Sequence, residues 1–90
     1  MNWSVYIILC TDNSLYTGIT TDIGRRFHQH KNLKGAKYFR GRQPEHLVYV
    51  ENGHDRSSAS KREFAIKNLN HVKKWQLIAS DLNKISESVL

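Results

Sequence analysis

The chain has 90 residues, of which 39% are hydrophobic and 24% charged, and a formal net charge of +6. That length and balance give one domain with one small core, not a disordered tail, and five Gly with one Pro exclude collagen-like or Pro-rich structure. The longest apolar run, Val5 to Cys10, is too short for a membrane span or an export-signal core.

The elements follow in chain order. Residues 3–10 (WSVYIILC) are β-branched and aromatic, which predicts a strand. Asp12-Asn13-Ser14 is a turn cluster, and 15–19 (LYTGI) predicts a second strand, so the chain opens on a β-hairpin. Thr20, Thr21 and Asp22 can cap a helix running to about His30, with Gly24 inside it costing ~1 kcal/mol relative to Ala. Residues 31–44 carry two Gly, one Pro and five cations and read as a loop. Residues 46–51 (HLVYVE) predict a third strand and 52–55 a turn. Ser57 or Ser58 then caps a helix from about Ala59 to Leu69, with Ser60 and Glu63 as a capping-box pair. Asn70 caps a last helix, His71 to Ala79. Leu82, Ile85 and Val89 have helical spacing, but ten residues rarely hold a helix without packing. The expectation is a single α+β domain over residues 1–80, ordered β-β-α-β-α-α with a three-stranded sheet flanked by helices, and an 81–90 tail that is helical or disordered.

Charge is segregated along the chain. Thirteen of the fourteen cations but only four of the eight acids lie between residues 25 and 74. A concentrated basic region in a folded domain points to a polyanion, most often nucleic acid; a solvated basic surface is the alternative. Within it, Lys31, Lys34, Lys37, Arg40 and Arg42 are interleaved with Tyr38 and Phe39, a composition suited to backbone contact and base stacking. The single Cys10 cannot form an intrachain disulfide, and the start Met1-Asn2-Trp3-Ser4 lacks a basic leader. The expected setting is therefore the reducing cytoplasm.

A helix turns by about 100° per residue. On that count Ile23, Phe27 and His30 share a face, Arg26 lies about 60° to the side of Ile23, and Arg25 and His28 face solvent. Arg26 and His30 are neighbours at i,i+4. Both need partners if desolvated; a snorkelling Arg and a hydrogen-bonded core His are the structural alternative. In the second helix Ala59, Ile66 and Leu69 form an apolar stripe, with Glu63 about 60° off its centre. Glu63 is either the i,i+4 partner of Lys67, worth ~0.3–0.5 kcal/mol, or a ligand for a hard cation such as Mg²⁺. Tyr6 and Tyr16 stand on the two hairpin strands, where packing is the ordinary role of tyrosine. No zinc-ligand spacing, phosphate-cradling Gly motif or nucleophile elbow is present.

Taken together, these residues form a recognisable order. Val5-Tyr6-Ile7, followed ten residues later by Tyr16-Thr17-Gly18, resembles the two motifs that name the GIY-YIG nuclease superfamily. Arg26 and His30 resemble its Arg-x-x-x-His/Tyr motif, and Glu63 in Lys-Arg-Glu-Phe-Ala-Ile-Lys resembles its metal-binding glutamate. Gly-Ala-Lys-Tyr in the loop and Leu-Val-Tyr in the third strand are similar to the small stand-alone bacterial members. The likeness spans about residues 3–79 and implies a one-metal site using Mg²⁺ or Mn²⁺ for phosphodiester cleavage.

By the same resemblance, Tyr6 would be base or positioner of the attacking water and Tyr16 would support the water or the phosphate. Arg26 would stabilise the pentacovalent phosphate, His30 would hydrogen-bond a tyrosine and help remove its proton, and Glu63 would hold the metal. The expected function is an endonuclease acting on branched, damaged or single-stranded DNA, as in DNA repair, with DNA favoured over RNA. A protein partner could supply specificity. A nucleic-acid-binding module with the fold but little cleavage is the alternative. A protein-interaction domain using Trp75, Leu82, Ile85 and Val89 would leave the basic segment unexplained.

Overall fold

The computed structural model describes residues 2–32 and 42–87. Three strands, β1 (Trp3–Cys10), β2 (Leu15–Thr20) and β3 (Pro44–His54), form one antiparallel sheet in the order β2-β1-β3. Helices α1 (Ile23–Lys31), α2 (Arg56–Lys67) and α3 (His71–Ile78) complete an α+β domain in the expected order.

The central position of β1 explains its composition. A strand covered on both faces reads as a near-continuous apolar run, and successive side chains alternate between the faces. Val5 and Ile7 join Tyr49, Ala59 and Ile66 in one buried cluster, which brings α2 onto that face. Tyr6, Ile8 and Cys10 form the other cluster, covered by Ile23 and Phe27 of α1. The candidate tyrosines therefore belong to the α1 face. Among the described residues no helix is long and apolar enough to cross a membrane.

The caps separate into expected and unexpected. Asp22 caps α1 by accepting the Arg25 N–H at 3.1 Å, and Asn70 caps α3 by accepting that of Lys73 at 2.8 Å. Helix α2 begins at Arg56, three residues earlier than expected, because Asp55 and not Ser57 or Ser58 is its N-cap. Asp55 accepts the Ser58 N–H at 2.8 Å while Ser58 Oγ accepts the Asp55 N–H at 3.1 Å. That reciprocal box replaces the expected Ser60–Glu63 pair.

Strand β3 is also longer than the expected 46–51. Asn52-Gly53 does not break it: Gly53 takes φ +83, a conformation glycine adopts without penalty, and the ladder continues to a Trp3–His54 pair. The pairing of β1 with β3 shifts register at three places, which accommodates this irregularity.

After α3 the chain returns to the sheet and ends its described part in a short 3₁₀ turn, Ile85–Glu87. Asn83 is the fastener: its amide donates to Val48 O and Ile78 O at 2.8 Å, and its carbonyl accepts the Val50 N–H at 3.2 Å. The Lys84 N–H adds a bond to Val50 O at 2.8 Å. These bonds occupy backbone groups of an edge strand that would otherwise be open to another chain.

Candidate active site

The hairpin register builds the site. Tyr6 on β1 lies opposite Gly18 on β2, and Ile8 lies opposite Tyr16, so Tyr6, Tyr16 and Gly18 share the α1 face. The two tyrosine rings stand 6.2 Å apart. Helix α1 then delivers His30, which is fully buried, with its ring 6.0 Å from Tyr6 and edge-on to Tyr16 at 5.4 Å. The Tyr6 hydroxyl meets His30 Nε2 at 2.9 Å. The helical phase read from sequence holds: His30 is inside, Arg26 is half-buried, and Arg25 and His28 are exposed.

Arg26 reaches the same hydroxyl. Its guanidinium and the Tyr16 side chain both interact with Tyr6. Gln29, which sequence reasoning did not single out, holds this arginine, accepting from Nη1 at 3.2 Å. The i,i+3 spacing on one helix is the signal that could have found it. Burial, then the neighbouring Tyr16, pushes the Tyr6 hydroxyl well above the usual phenol range, while Arg26 opposes that rise. Burial and then the Arg26 charge hold His30 down at about 4. His30 is thus neutral at pH 7, and a neutral Nε2 is able to accept a hydrogen bond from the Tyr6 hydroxyl.

Glu63 comes from the other side, and among the described residues its carboxylate meets Lys67 and not Tyr6, Tyr16, Arg26 or His30. Helix α2 packs its Ala59 and Ile66 on the sheet face opposite α1. The Glu63 side chain is 24% exposed and pairs with Lys67 Nζ at 3.4 Å, the i,i+4 contact allowed by the sequence. Among the described residues no group of three or more His, Cys, Asp or Glu could cage a metal. One half-buried carboxylate still suits a hard cation such as Mg²⁺, which keeps several waters and takes its remaining ligands from substrate phosphate.

Of the expected nucleic-acid contacts, Lys34, Lys37, Tyr38 and Arg40 lie outside the described residues. Lys31 is exposed, with Nζ 5.4 Å from the Phe27 ring centre. Arg42 pairs with Asp12 at 3.1 Å. The described ends of the basic loop thus lie at the end of α1 and beside the β1–β2 turn.

A second polar cluster lies across the sheet, and sequence reasoning missed it. Glu51 accepts from Tyr49 at 2.6 Å and Arg62 Nε at 3.0 Å, and its other oxygen meets His54 Nε2 at 2.7 Å. Burial alone would raise the Glu51 carboxyl, but hydrogen bonds from Tyr49, His54 and Arg62 outweigh it and hold the group low. Burial and the adjacent carboxylate push Tyr49 up to about 12. Ser58 Oγ touches His54 Nδ1 at 2.9 Å, but the same hydroxyl is engaged in the α2 cap. The cluster ties β3 to α2.

The family profile of the GIY-YIG catalytic domain matches residues 2–76. The chain belongs to the GIY-YIG family. That places it in a nuclease superfamily. A UPF0213 protein of Desulfotalea psychrophila is 54% identical over 77 residues, covering 84% of this chain and 70% of its own. One from Cronobacter sakazakii is 49% identical over 80 residues, covering 89% and 84%. The solution NMR structure of a UPF0213 protein from Bacillus halodurans superposes with a TM-score of 0.58 at 43% identity, covering 93% of this chain and 89% of that one. The GIY-YIG assignment agrees with the motif order and with the sheet and helices seen here.

Proposed function

We propose that this GIY-YIG domain is a metal-dependent endonuclease that hydrolyses phosphodiester bonds in branched, damaged or single-stranded DNA. The observation that carries the reading is the 2.9 Å contact between the Tyr6 hydroxyl and neutral His30 Nε2, made beside Arg26.

The chemistry needs a way to take a proton from the attacking water and a cation for the charge growing on phosphorus. An isolated phenol with pKa near 10 is a poor base at pH 7. The hydrogen bond to His30 fixes the Tyr6 hydroxyl, so Tyr6 orients the water. It would deprotonate the water only once a bound cation and Arg26 lower its own pKa, since burial disfavours both phenolate and imidazolium in the pair itself. Tyr16, within a ring contact of both, supports the water or a phosphate oxygen. Arg26, held by Gln29, would face the equatorial oxygens and stabilise their charge. Glu63 would hold the Mg²⁺ or Mn²⁺, which when bound supplies Lewis-acid stabilisation of the leaving oxygen.

The Glu63–Lys67 pair favours a second reading, a nucleic-acid-binding module of the same fold without useful cleavage. A panel of branched, nicked, single-stranded and duplex DNA and of RNA, each with Mg²⁺, Mn²⁺ or EDTA, separates the two. The nuclease reading expects metal-dependent products from at least one DNA. Binding without products under any condition supports the module.

A further inference from the structure

A cleft of about 230 Å³ opens where the start of β1 meets the end of β2 and the first turns of α1. Trp3 and Ile19 give it an aromatic and an aliphatic wall, and Arg25, Arg26 and Gln29 line the helix side. Trp3 is half-buried, and Arg56 stands over its ring at 5.7 Å. The single carboxylate of the lining, Asp22, is engaged in capping α1.

Three properties narrow the occupant. The volume is below the ~300–1,000 Å³ typical of pockets for drug-sized ligands, so it suits one flat ring system with its sugar. Trp3 and Ile19 give an apolar strip in a lining that is otherwise polar and carries Arg25 and Arg26, which suits a base attached to phosphate. Arg26 belongs both to this cleft and to the environment of the Tyr6 hydroxyl. Trp3 and Ile19 pack against the α2-face cluster and the tyrosines belong to the other, so Arg26 links the cleft to the tyrosine site. A phosphate held by Arg26 would bring its neighbouring nucleotide toward the mouth of the cleft.

We propose that the Trp3 cleft is a subsite for one unpaired nucleotide adjoining the phosphodiester at the Tyr6–Arg26 cluster. This rests on the nuclease reading and deepens it. A base inside a duplex is stacked and paired and cannot enter such a cleft without being unstacked. The subsite thus selects single-stranded, flapped or frayed positions over continuous duplex, with Arg25 contacting the next phosphate.

Trp3 reports on its own occupancy. In a Trp75→Phe background it is the sole tryptophan. Emission is followed in EDTA, so that nothing is cut, while an oligothymidylate or a fully paired duplex of equal length is added; anisotropy of the labelled DNA measures binding separately. The expected result is saturable quenching by the single strand and little by the duplex. Trp3→Leu, checked for folding by circular dichroism, should weaken single-strand binding by about 5-fold to 100-fold, the range carried by stacking one base, with duplex affinity within about 3-fold. Single-strand binding that leaves Trp3 emission unchanged overturns the subsite while the nuclease reading stands, and this holds even if Trp3→Leu misfolds. Absence of binding to any nucleic acid overturns both.

Discussion

The Tyr6 hydroxyl occupies the space where any side chain at position 18 would have to begin. A Cβ built on Gly18 would lie 2.5 Å from Tyr6 Oη and 2.6 Å from Cζ, and the two residues are cross-strand partners. The glycine of the second motif is thus the floor beneath the tyrosine of the first. Gly18→Ala should displace the Tyr6 ring, lower stability by about 1–3 kcal/mol through overpacking, and reduce cleavage more than thermal stability suggests. Urea unfolding and single-turnover cleavage of the same preparation check this. Full activity with an unmoved ring would contradict it.

Arg26 and His28 sit two residues apart on α1, one half-buried by the tyrosines and the other exposed with Asn32 as its partner. Arg26→Ala should lower the single-turnover rate ~10²–10³-fold, as loss of a transition-state electrostatic donor does. His28→Ala should leave it near wild type. Equal losses would remove Arg26 from the chemistry.

Glu63→Gln should separate cutting from binding. The side chain keeps its size but loses the charge that would hold the cation, so metal-dependent cleavage collapses. Removing a negative charge should leave nucleic-acid affinity equal or slightly higher. Cleavage and anisotropy on one DNA give both values. A folded variant that cuts as well as wild type would leave Glu63 as the Lys67 partner alone.

His30 makes stability depend on pH. It is held at about 4, against about 6.5 for an ordinary histidine. Between those values the unfolded chain binds a proton that the folded chain refuses. The contribution is full above about pH 6.5 and is lost as pH falls toward 4, by at most ~1.4 kcal/mol per pH unit. His30→Gln should flatten this part of the curve while the acid loss due to carboxylates remains. Thermal melts of both proteins from pH 4 to 7 decide it; parallel curves would place the His30 value near normal.

What was legible in the sequence depended on how local its cause was. The β1 run, the α1 phase and the Asn70 cap are set by neighbouring residues, so pattern suffices. The start of α2 was not legible, because Asp55, Ser57, Ser58 and Ser60 compete as caps and the choice follows from where β3 ends. Asn52-Gly53 reads as a turn, yet pairing with Trp3 carries the strand through it. The Glu51 cluster joins Tyr49, His54 and Arg62 across two elements, and no spacing rule announces it.

Tyr6→Phe tests the central claim most directly, since it removes the hydroxyl that meets His30 while keeping the ring that lies against Gly18. Single-turnover cleavage of a labelled branched DNA in Mn²⁺ is measured for wild type and variant, with circular dichroism to confirm equal folding. The account predicts that the wild type cuts and that the variant is slower by about 10²–10⁴, the usual worth of positioned acid–base catalysis. Equal rates for the two folded proteins would contradict it.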